Sequence, residues 1–197
     1  MSAKAIFMDR DGTVSDEVGY VNHIDRYRLL PRSAEAVRRV NAAGFLSFVI
    51  TNQSGVARGL FDETLLHEVH ATLRGWLERE GARLDGIYYC PHHPKEGEPP
   101  WRQDCDCRKP RPGLLLRAAR EHDVDLSSSY MIGDTVLDIE AARNAGMTGV
   151  LVLTGYGKGD LKYRMRQRGL TPAHVADDLL SAVEWILRRE AEKEKTP

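Results

Sequence analysis

Asp9-Arg10-Asp11-Gly12-Thr13 sets two carboxylates two residues apart, directly after the apolar run Ala5-Ile6-Phe7-Met8. A short apolar run of this kind reads as a buried strand. Side chains alternate along extended backbone, so the two acids need not crowd each other until Gly12 lets the chain turn. In an open α/β sheet, ligands bind at the carboxyl ends of the strands. A pair of acids there suits a hard cation such as Mg²⁺, with one carboxylate free to attack phosphorus.

Three further strand ends carry polar residues of a matching kind. Thr51-Asn52-Gln53-Ser54-Gly55 offers hydroxyls and backbone N–H groups that suit phosphate oxygens. Lys109, in Cys107-Arg108-Lys109-Pro110, is a cation placed before a helix, and Met131-Ile132-Gly133-Asp134 ends in an acid with Asp138 one helical turn on. Phosphoryl transfer needs this inventory: an in-line nucleophile, a cation for the equatorial oxygens and a proton donor for the leaving oxygen. A carboxylate nucleophile divides hydrolysis into two steps through an acyl phosphate. Each stretch alone is commonplace: a solvated turn, a helix cap or a surface charge. Their order along alternating strands makes them a set.

Those strands have to be built. Ser33 is placed to cap a helix over Ala34–Ala43, closed by Gly44. Phe45–Ile50 is a second strand, and Asp62 starts a helix through about Glu80 with apolar residues at helical spacing. Gly86–Tyr89 is a third strand. A helix then opens near Pro112, followed by a strand at Tyr130–Ile132, a helix at about Leu137–Ala145, a strand at Gly149–Leu153 and a last helix at about Leu179–Glu190. Alternation of this kind implies an α/β fold: a Rossmann-like, three-layer parallel sheet. The stretch between Thr13 and the first helix is too short for a large cap domain. Residues 1–190 read as a single domain, and the charged segment 191–197 as a frayed tail.

The segment 88–109 breaks the rhythm. Cys90–Lys109 contains four prolines, little apolar content and all three cysteines of the chain. Such clustering points to a metal-stapled loop insertion and not to a disulfide framework, and it fits a reducing compartment. With 197 residues, 42% hydrophobic and 29% charged content and a net charge of −1, the chain has no bulk attraction for nucleic acid or an anionic membrane. The N-terminal apolar run is too short for a signal peptide, and no stretch reaches the length of a membrane helix. The protein is expected to be cytoplasmic and monomeric. His67 and His70, three apart on a predicted helix, read as solvated, as does the basic stretch Arg164, Arg166, Arg168.

The chain resembles the haloacid-dehalogenase-type phosphatases. Within them it is similar to the D-glycero-D-manno-heptose 1,7-bisphosphate 7-phosphatases and the related histidinol-phosphate phosphatases. The resemblance is carried by Asp9-Arg10-Asp11-Gly12-Thr13, Gly19-Tyr20-Val21, the stretch from Thr51 to Gly59, Tyr88-Tyr89-Cys90-Pro91-His92-His93-Pro94, Cys105-Asp106-Cys107-Arg108-Lys109-Pro110 and Gly133-Asp134, in that order. It implies Asp9 as nucleophile and Asp11 as general acid, then base. It implies Thr51 and Lys109 as ligands of the transferring phosphoryl group. Mg²⁺ would be held by Asp134, the Asp9 carboxylate and the Asp11 backbone carbonyl, with Asp138 behind them. Glu17, Val18, Gly19, Tyr20, Asn52, Gln53, Ser54, Arg108 and Thr135 would touch the rest of the substrate. Thr135 stands where the heptose phosphatases often carry Lys, and it supplies no charge.

Cys90, His92, Cys105 and Cys107 form a Cys₃His set suited to a closed, tetrahedral structural Zn²⁺. The family carries zinc at these residues, and His93 is a competing ligand. The loop ends at Arg108-Lys109, so zinc would set the aim of two cations that face phosphate. The implied activity is hydrolysis of the C7 phosphate of a heptose 1,7-bisphosphate through an aspartyl phosphate, feeding heptose supply for lipopolysaccharide. The partner is a small-molecule sugar phosphate, with no nucleic acid and no membrane. The alternatives are a histidinol-phosphate or other sugar-phosphate phosphatase and, in another class, an inactive zinc-stabilised binding module.

Overall fold

A computed structural model describes residues 2–195. The strands are β1 (Ala5–Met8), β2 (Leu46–Asn52), β3 (Gly86–Cys90), β4 (Tyr130–Gly133), β5 (Thr148–Val152) and β6 (His174–Ala176). The principal helices are α1 (Ser33–Ala42), α2 (Glu63–Arg79), α3 (Gly113–His122), α4 (Val136–Asn144) and α5 (Leu179–Lys195). Among the described residues the strands form one six-stranded sheet in the order β3-β2-β1-β4-β5-β6, parallel throughout. Phe7 lies in register with Phe48 on one side and Met131 on the other. Between Val14 and Arg32 the regular structure is one 3₁₀ turn, Ile24–Arg26.

β1 is buried along its whole length, and alternate side chains enter opposite layers. Ile6 and Met8 join Val37, Val40, Leu73, Leu77, Val183 and Ile186 under α1, α2 and α5. Ala5 and Phe7 join Phe48, Leu114, Leu115, Ala118 and Met131 under α3 and α4. Both faces are therefore closed, and the expected α/β sheet between helical layers is what the chain forms. Fully burying one such side chain is worth about 1.5–3 kcal/mol, so the layers hold the strand ends rigidly. The strand order reverses on either side of β1. That switch point leaves a crevice beyond the carboxyl ends of β1, β2 and β4, where the polar stretches emerge.

Asp62 caps α2 as expected, accepting a hydrogen bond from Leu65 N at 2.9 Å. Ser33 does not cap α1. Arg32 occupies the cap with φ 65° and no side-chain bond to a capped N–H, and Ser33 is the first helical residue. Two elements are absent from the expectation: β6 and the helical stretch Gly157–Gly159, Asp160–Arg164 (a π turn) and Met165–Gln167. β6 is three residues long, and the helical stretch opens on Gly-Lys-Gly with Leu161, Tyr163 and Met165 as its apolar residues, so neither shows a hydrophobic period. The last helix runs past its expected end near Glu190, with α5 continuing to Lys195. Buried Glu190 anchors it, accepting from Lys4 Nζ at 2.7 Å, Lys193 Nζ at 2.6 Å and Tyr130 Oη at 2.6 Å. Thr196 and Pro197, the end of the expected tail, lie outside the described residues.

Candidate active site

The end of β1 delivers Asp9 to the crevice, one residue past the last rung, where its N–H still donates to Ile132 O at 2.9 Å. Asp9 Oδ1 accepts from Arg10 N at 2.7 Å and pairs with Lys109 Nζ at 2.9 Å, so both contacts fall on one oxygen of the carboxylate. Lys109 is buried, and its ammonium makes two more bonds, to Asp138 Oδ1 at 2.6 Å and Ile50 O at 2.8 Å. All three donors of the ammonium are thus engaged. Burial alone would lower the Lys109 pKa, but Asp138 and Asp9 outweigh it and hold the group charged.

Asp134 follows β4 and is fully buried. Its Oδ2 accepts from Tyr156 N at 2.8 Å, while Oδ1 has no protein partner. The space around it exists because of two glycines. A Cβ at Gly12 would stand 2.3 Å from Asp134 Oδ2, and one at Gly155 would stand 2.2 Å from it. Asp138, inside the first turn of α4, accepts from Thr135 N at 3.0 Å and Thr135 Oγ1 at 2.6 Å through one oxygen and from Lys109 through the other. This is a capping box, so the residue that ends the helix dipole also orients the lysine.

The Asp11 carboxylate does not join this acidic group. Arg10 grips it from Nε at 3.0 Å and Nη2 at 2.7 Å, and Gln53 Nε2 donates to it at 2.8 Å. The same Gln53 nitrogen donates to Thr51 Oγ1 at 2.9 Å, tying the two together. Arg10 is itself buried beneath the site, with Nη1 3.3 Å from His70 Nε2. His70 is therefore not solvated as expected. It is 8% exposed, and burial, then the Arg10 charge, pushes its pKa down to about 3, so the neutral ring accepts from the guanidinium. Helical spacing put His70 on a face, and only the packing of α2 on β1 showed which face. His67 stays at the surface, its Nε2 3.0 Å from Tyr89 Oη.

A cavity of about 170 Å³ gathers Asp9, Asp11, Glu17, Gly19, Tyr20, Thr51, Asn52, Gln53, Ser54, Arg108, Lys109, Asp134 and Thr135. Of the residues expected at the site, Val18 alone does not line it; it packs against the core. The Asn52 amide is engaged elsewhere, donating to Lys109 O at 3.1 Å and accepting from Lys109 N at 3.0 Å, and so clamps the lysine backbone. Tyr156 and Leu137 also line the cavity and were not expected there. The usable signal for Tyr156 was its place just beyond the end of β5, a fifth strand end on the same sheet edge.

Asp9, Asp134 and Asp138 bring carboxylate oxygens within 4.8 Å of one another. Burial, opposed by Lys109 and reinforced by Asp138, raises Asp9 from 3.8 to about 7. Burial, then Asp9 and Asp138, raises Asp134 from 3.8 to about 9. Clustered buried acids with one orphaned oxygen fit a hard divalent cation, and Mg²⁺ is the ion this oxygen set suits. Both acids bind protons more tightly folded than unfolded. Without metal the fold therefore loses stability as pH rises from about 4 through 7 and on through 9, and Mg²⁺ restores it. Mg²⁺ affinity should climb across the same range, with proton release. Titration calorimetry at pH 7 in two buffers of different ionisation enthalpy measures this, and identical heats in both would contradict it. Asp134→Asn should raise the metal-free melting temperature at pH 8 by about 2–4 °C while removing Mg²⁺ binding.

Cys90, His92, Cys105 and Cys107 likewise converge, all ligand atoms within 4.8 Å. The Sγ–Sγ distances are 3.5 Å for Cys90–Cys105 and 3.2 Å for Cys105–Cys107, and His92 Nδ1 lies 3.2 Å from Cys107 Sγ. A tetrahedron of Zn–S bonds near 2.3 Å has edges of about 3.8 Å, so the set fits zinc with a small expansion. His93 is not the ligand. Its Nδ1 accepts from Glu96 N at 2.9 Å and its Nε2 lies 3.1 Å from Arg58 Nη2.

Comparison with known proteins agrees with this geometry. A HAD-hydrolase-like family model matches residues 106–182. The D-glycero-beta-D-manno-heptose-1,7-bisphosphate 7-phosphatase of Pasteurella multocida (strain Pm70) is 47% identical over 153 residues, covering 77% of this chain and 83% of its own. The D-glycero-D-manno-heptose-1,7-bisphosphate 7-phosphatase of Thermosynechococcus vestitus (strain NIES-2133 / IAM M-273 / BP-1) is 42% identical over 190 residues, covering 94% of this chain and 96% of its own. The crystal structure of a D,D-heptose 1,7-bisphosphate phosphatase from B. bronchiseptica, complexed with magnesium and phosphate, superposes with a TM-score of 0.83 at 38% identity over 94% of this chain and 99% of that one. With its acids at the switch point of a parallel sheet, and with relatives of this identity along almost its full length, the chain belongs to the haloacid-dehalogenase-like hydrolases.

Proposed function

We propose that the chain is a Mg²⁺-dependent phosphomonoesterase that removes the C7 phosphate of D-glycero-D-manno-heptose 1,7-bisphosphate. The observation that carries the reading is the meeting of Asp9, Lys109 and Asp134 at one end of the sheet, with Asp9 2.9 Å from Lys109 and an unpartnered Asp134 oxygen beside them. Bound to Asp9, Asp134 and the Asp11 carbonyl, Mg²⁺ would neutralise the anionic oxygens of the transferring group. Lys109 would exchange its contact with Asp9 for one phosphoryl oxygen, and Thr51 would donate its hydroxyl to another. Asp9 Oδ2 attacks phosphorus in line, the bond to the sugar oxygen breaks, and Asp11 delivers its proton to that oxygen. Asp11 then takes a proton from water, which attacks phosphorus, releases inorganic phosphate and regenerates the Asp9 carboxylate. In the free site Arg10 and Gln53 hold the Asp11 carboxylate beside Thr51.

Relatives at 42–47% identity named for the heptose substrate favour it over histidinol phosphate. An intact acid and cation set favours an enzyme over an inactive module. Residues 1–190 are read as one catalytic domain. The protein is read as a cytoplasmic monomer that acts on a small sugar phosphate without nucleic-acid or membrane partners; among the described residues no helix is long and apolar enough to cross a membrane. Steady-state assays on heptose 1,7-bisphosphate, histidinol phosphate and common hexose phosphates test the substrate. A kcat/KM at least about a hundredfold higher for the heptose bisphosphate is expected, and equal turnover of unrelated esters would refute the assignment.

A further inference from the structure

Tyr156 presents an exposed aromatic ring on an immobilised backbone. Its side chain is 55% exposed, yet the chain around it is tied down on every side. Tyr156 N donates to Asp134 Oδ2 at 2.8 Å, and its carbonyl accepts from Asp160 N at 2.9 Å. Thr154 Oγ1 donates to Gly12 O at 2.5 Å, bolting the residue two before it to the loop that follows the nucleophile. Gly155 between them has φ +50° and no room for a Cβ. Four residues on, buried Asp160 accepts from Val136 N at 2.6 Å at the start of α4. The segment is a strap across the loops after β1 and β4, and Tyr156 lines the same cavity as Glu17, Tyr20 and Lys109.

Among the described residues Tyr156 joins none of the hydrophobic clusters, and its N–H is fixed on Asp134, whose other oxygen has no protein partner. Tyr20, 41% exposed, lines the cavity from the loop after β1. Glu17, Tyr20 and Tyr156 all line this cavity. The floor of the cavity, Asp9, Thr51 and Lys109, addresses phosphate; this rim addresses whatever the phosphate is attached to. An aromatic ring with a polar tip beside a carboxylate suits a polyhydroxylated carbon skeleton, whose C–H faces pack on the ring and whose hydroxyls donate to the acid.

We infer that Tyr156 is a specificity-determining residue that, together with Tyr20 and Glu17, grips the sugar portion of the substrate and positions it for transfer. The inference rests on the reading of the site as a sugar-phosphate phosphatase but not on which sugar is preferred. The test compares wild type, Tyr156→Ala and Tyr156→Phe on the sugar phosphate that wild type turns over best and on acetyl phosphate, which lacks a sugar. The selectivity, the ratio of the two kcat/KM values, should fall about tenfold in Tyr156→Ala, chiefly through KM for the sugar phosphate, and by less than threefold in Tyr156→Phe. Unchanged selectivity in Tyr156→Ala, or equal loss on both substrates, would overturn the inference. So would a wild type that shows no preference for any sugar phosphate over acetyl phosphate. A wild type that prefers a sugar other than the heptose bisphosphate would refute the substrate assignment and leave this inference standing if the selectivity still falls.

Discussion

Replacing Asp9 by Asn should reduce kcat by at least about a thousandfold while the fold survives. Asn is nearly isosteric, and its carbonyl oxygen can keep the bond that Asp9 Oδ1 accepts from Arg10 N at 2.7 Å. Lys109 keeps its contacts to Asp138 and Ile50 O, so the buried ammonium is not left bare. What would disappear is the proposed nucleophile: an amide cannot form the acyl phosphate, and the two-step route would close. A thousandfold loss is about 4 kcal/mol of barrier, more than any positioning defect at this residue would cause. Circular dichroism and thermal melting check the fold, and rapid quench checks for a phosphorylated enzyme in wild type and its absence in the variant. More than a tenth of wild-type activity in a folded Asp9→Asn protein would remove Asp9 from its role.

Loss of the zinc cluster is the second large effect. Cys107→Ser, or prolonged chelation, should lower kcat by about a hundredfold and the melting temperature by about 10 °C, with Mg²⁺ affinity changed little. The loop around the cluster is poor in apolar side chains, and structural zinc sites contribute up to the order of 10 kcal/mol in small peptides. Cys107 is followed directly by Arg108 and Lys109. Arg108 Nη1 donates to His92 O at 3.3 Å, and the Lys109 backbone is clamped from the other side by Asn52. Releasing one side of that clamp shifts the ammonium that must meet the phosphoryl group, and a displacement near 1 Å costs about a hundredfold. Asp9 and Asp134 hang from β1 and β4, so their backbone is held by the sheet even though Asp9 pairs with Lys109, which is why the Mg²⁺ site should survive. Metal analysis, thermal melting and calorimetry read the three quantities separately. Full activity in a zinc-free protein would reduce the cluster to scaffolding, and a parallel loss of Mg²⁺ binding would mean that the two sites fold as one.

The parallel sheet and the acids at its edge were legible because their signals are local. Ala5–Met8 is a fully apolar run ending in two acids, Asp62 caps α2 as its type and place suggest, and the Cys₃His pairs stand out against a polar loop. Such patterns reflect requirements that neighbouring residues meet among themselves. Where the reading failed, the deciding contact was remote in sequence. His70 is buried and neutral because α2 packs it on Arg10. α5 runs on to Lys195 because Glu190 finds Lys4 and Tyr130 far away in the chain.

By itself the sequence determined which residues could do chemistry and along which strands they would be carried, since side-chain type and hydrophobic period are properties of the chain alone. Only the tertiary structure decided how those residues divide the work: that Asp134 keeps an unpartnered oxygen, that the Asp11 carboxylate is held apart by Arg10, and that Tyr156 reaches the same cavity. The reason is physical. Burial and the distance between charges set the state of each group, and both arise when β1, β4 and the strap after β5 meet at one edge of the sheet.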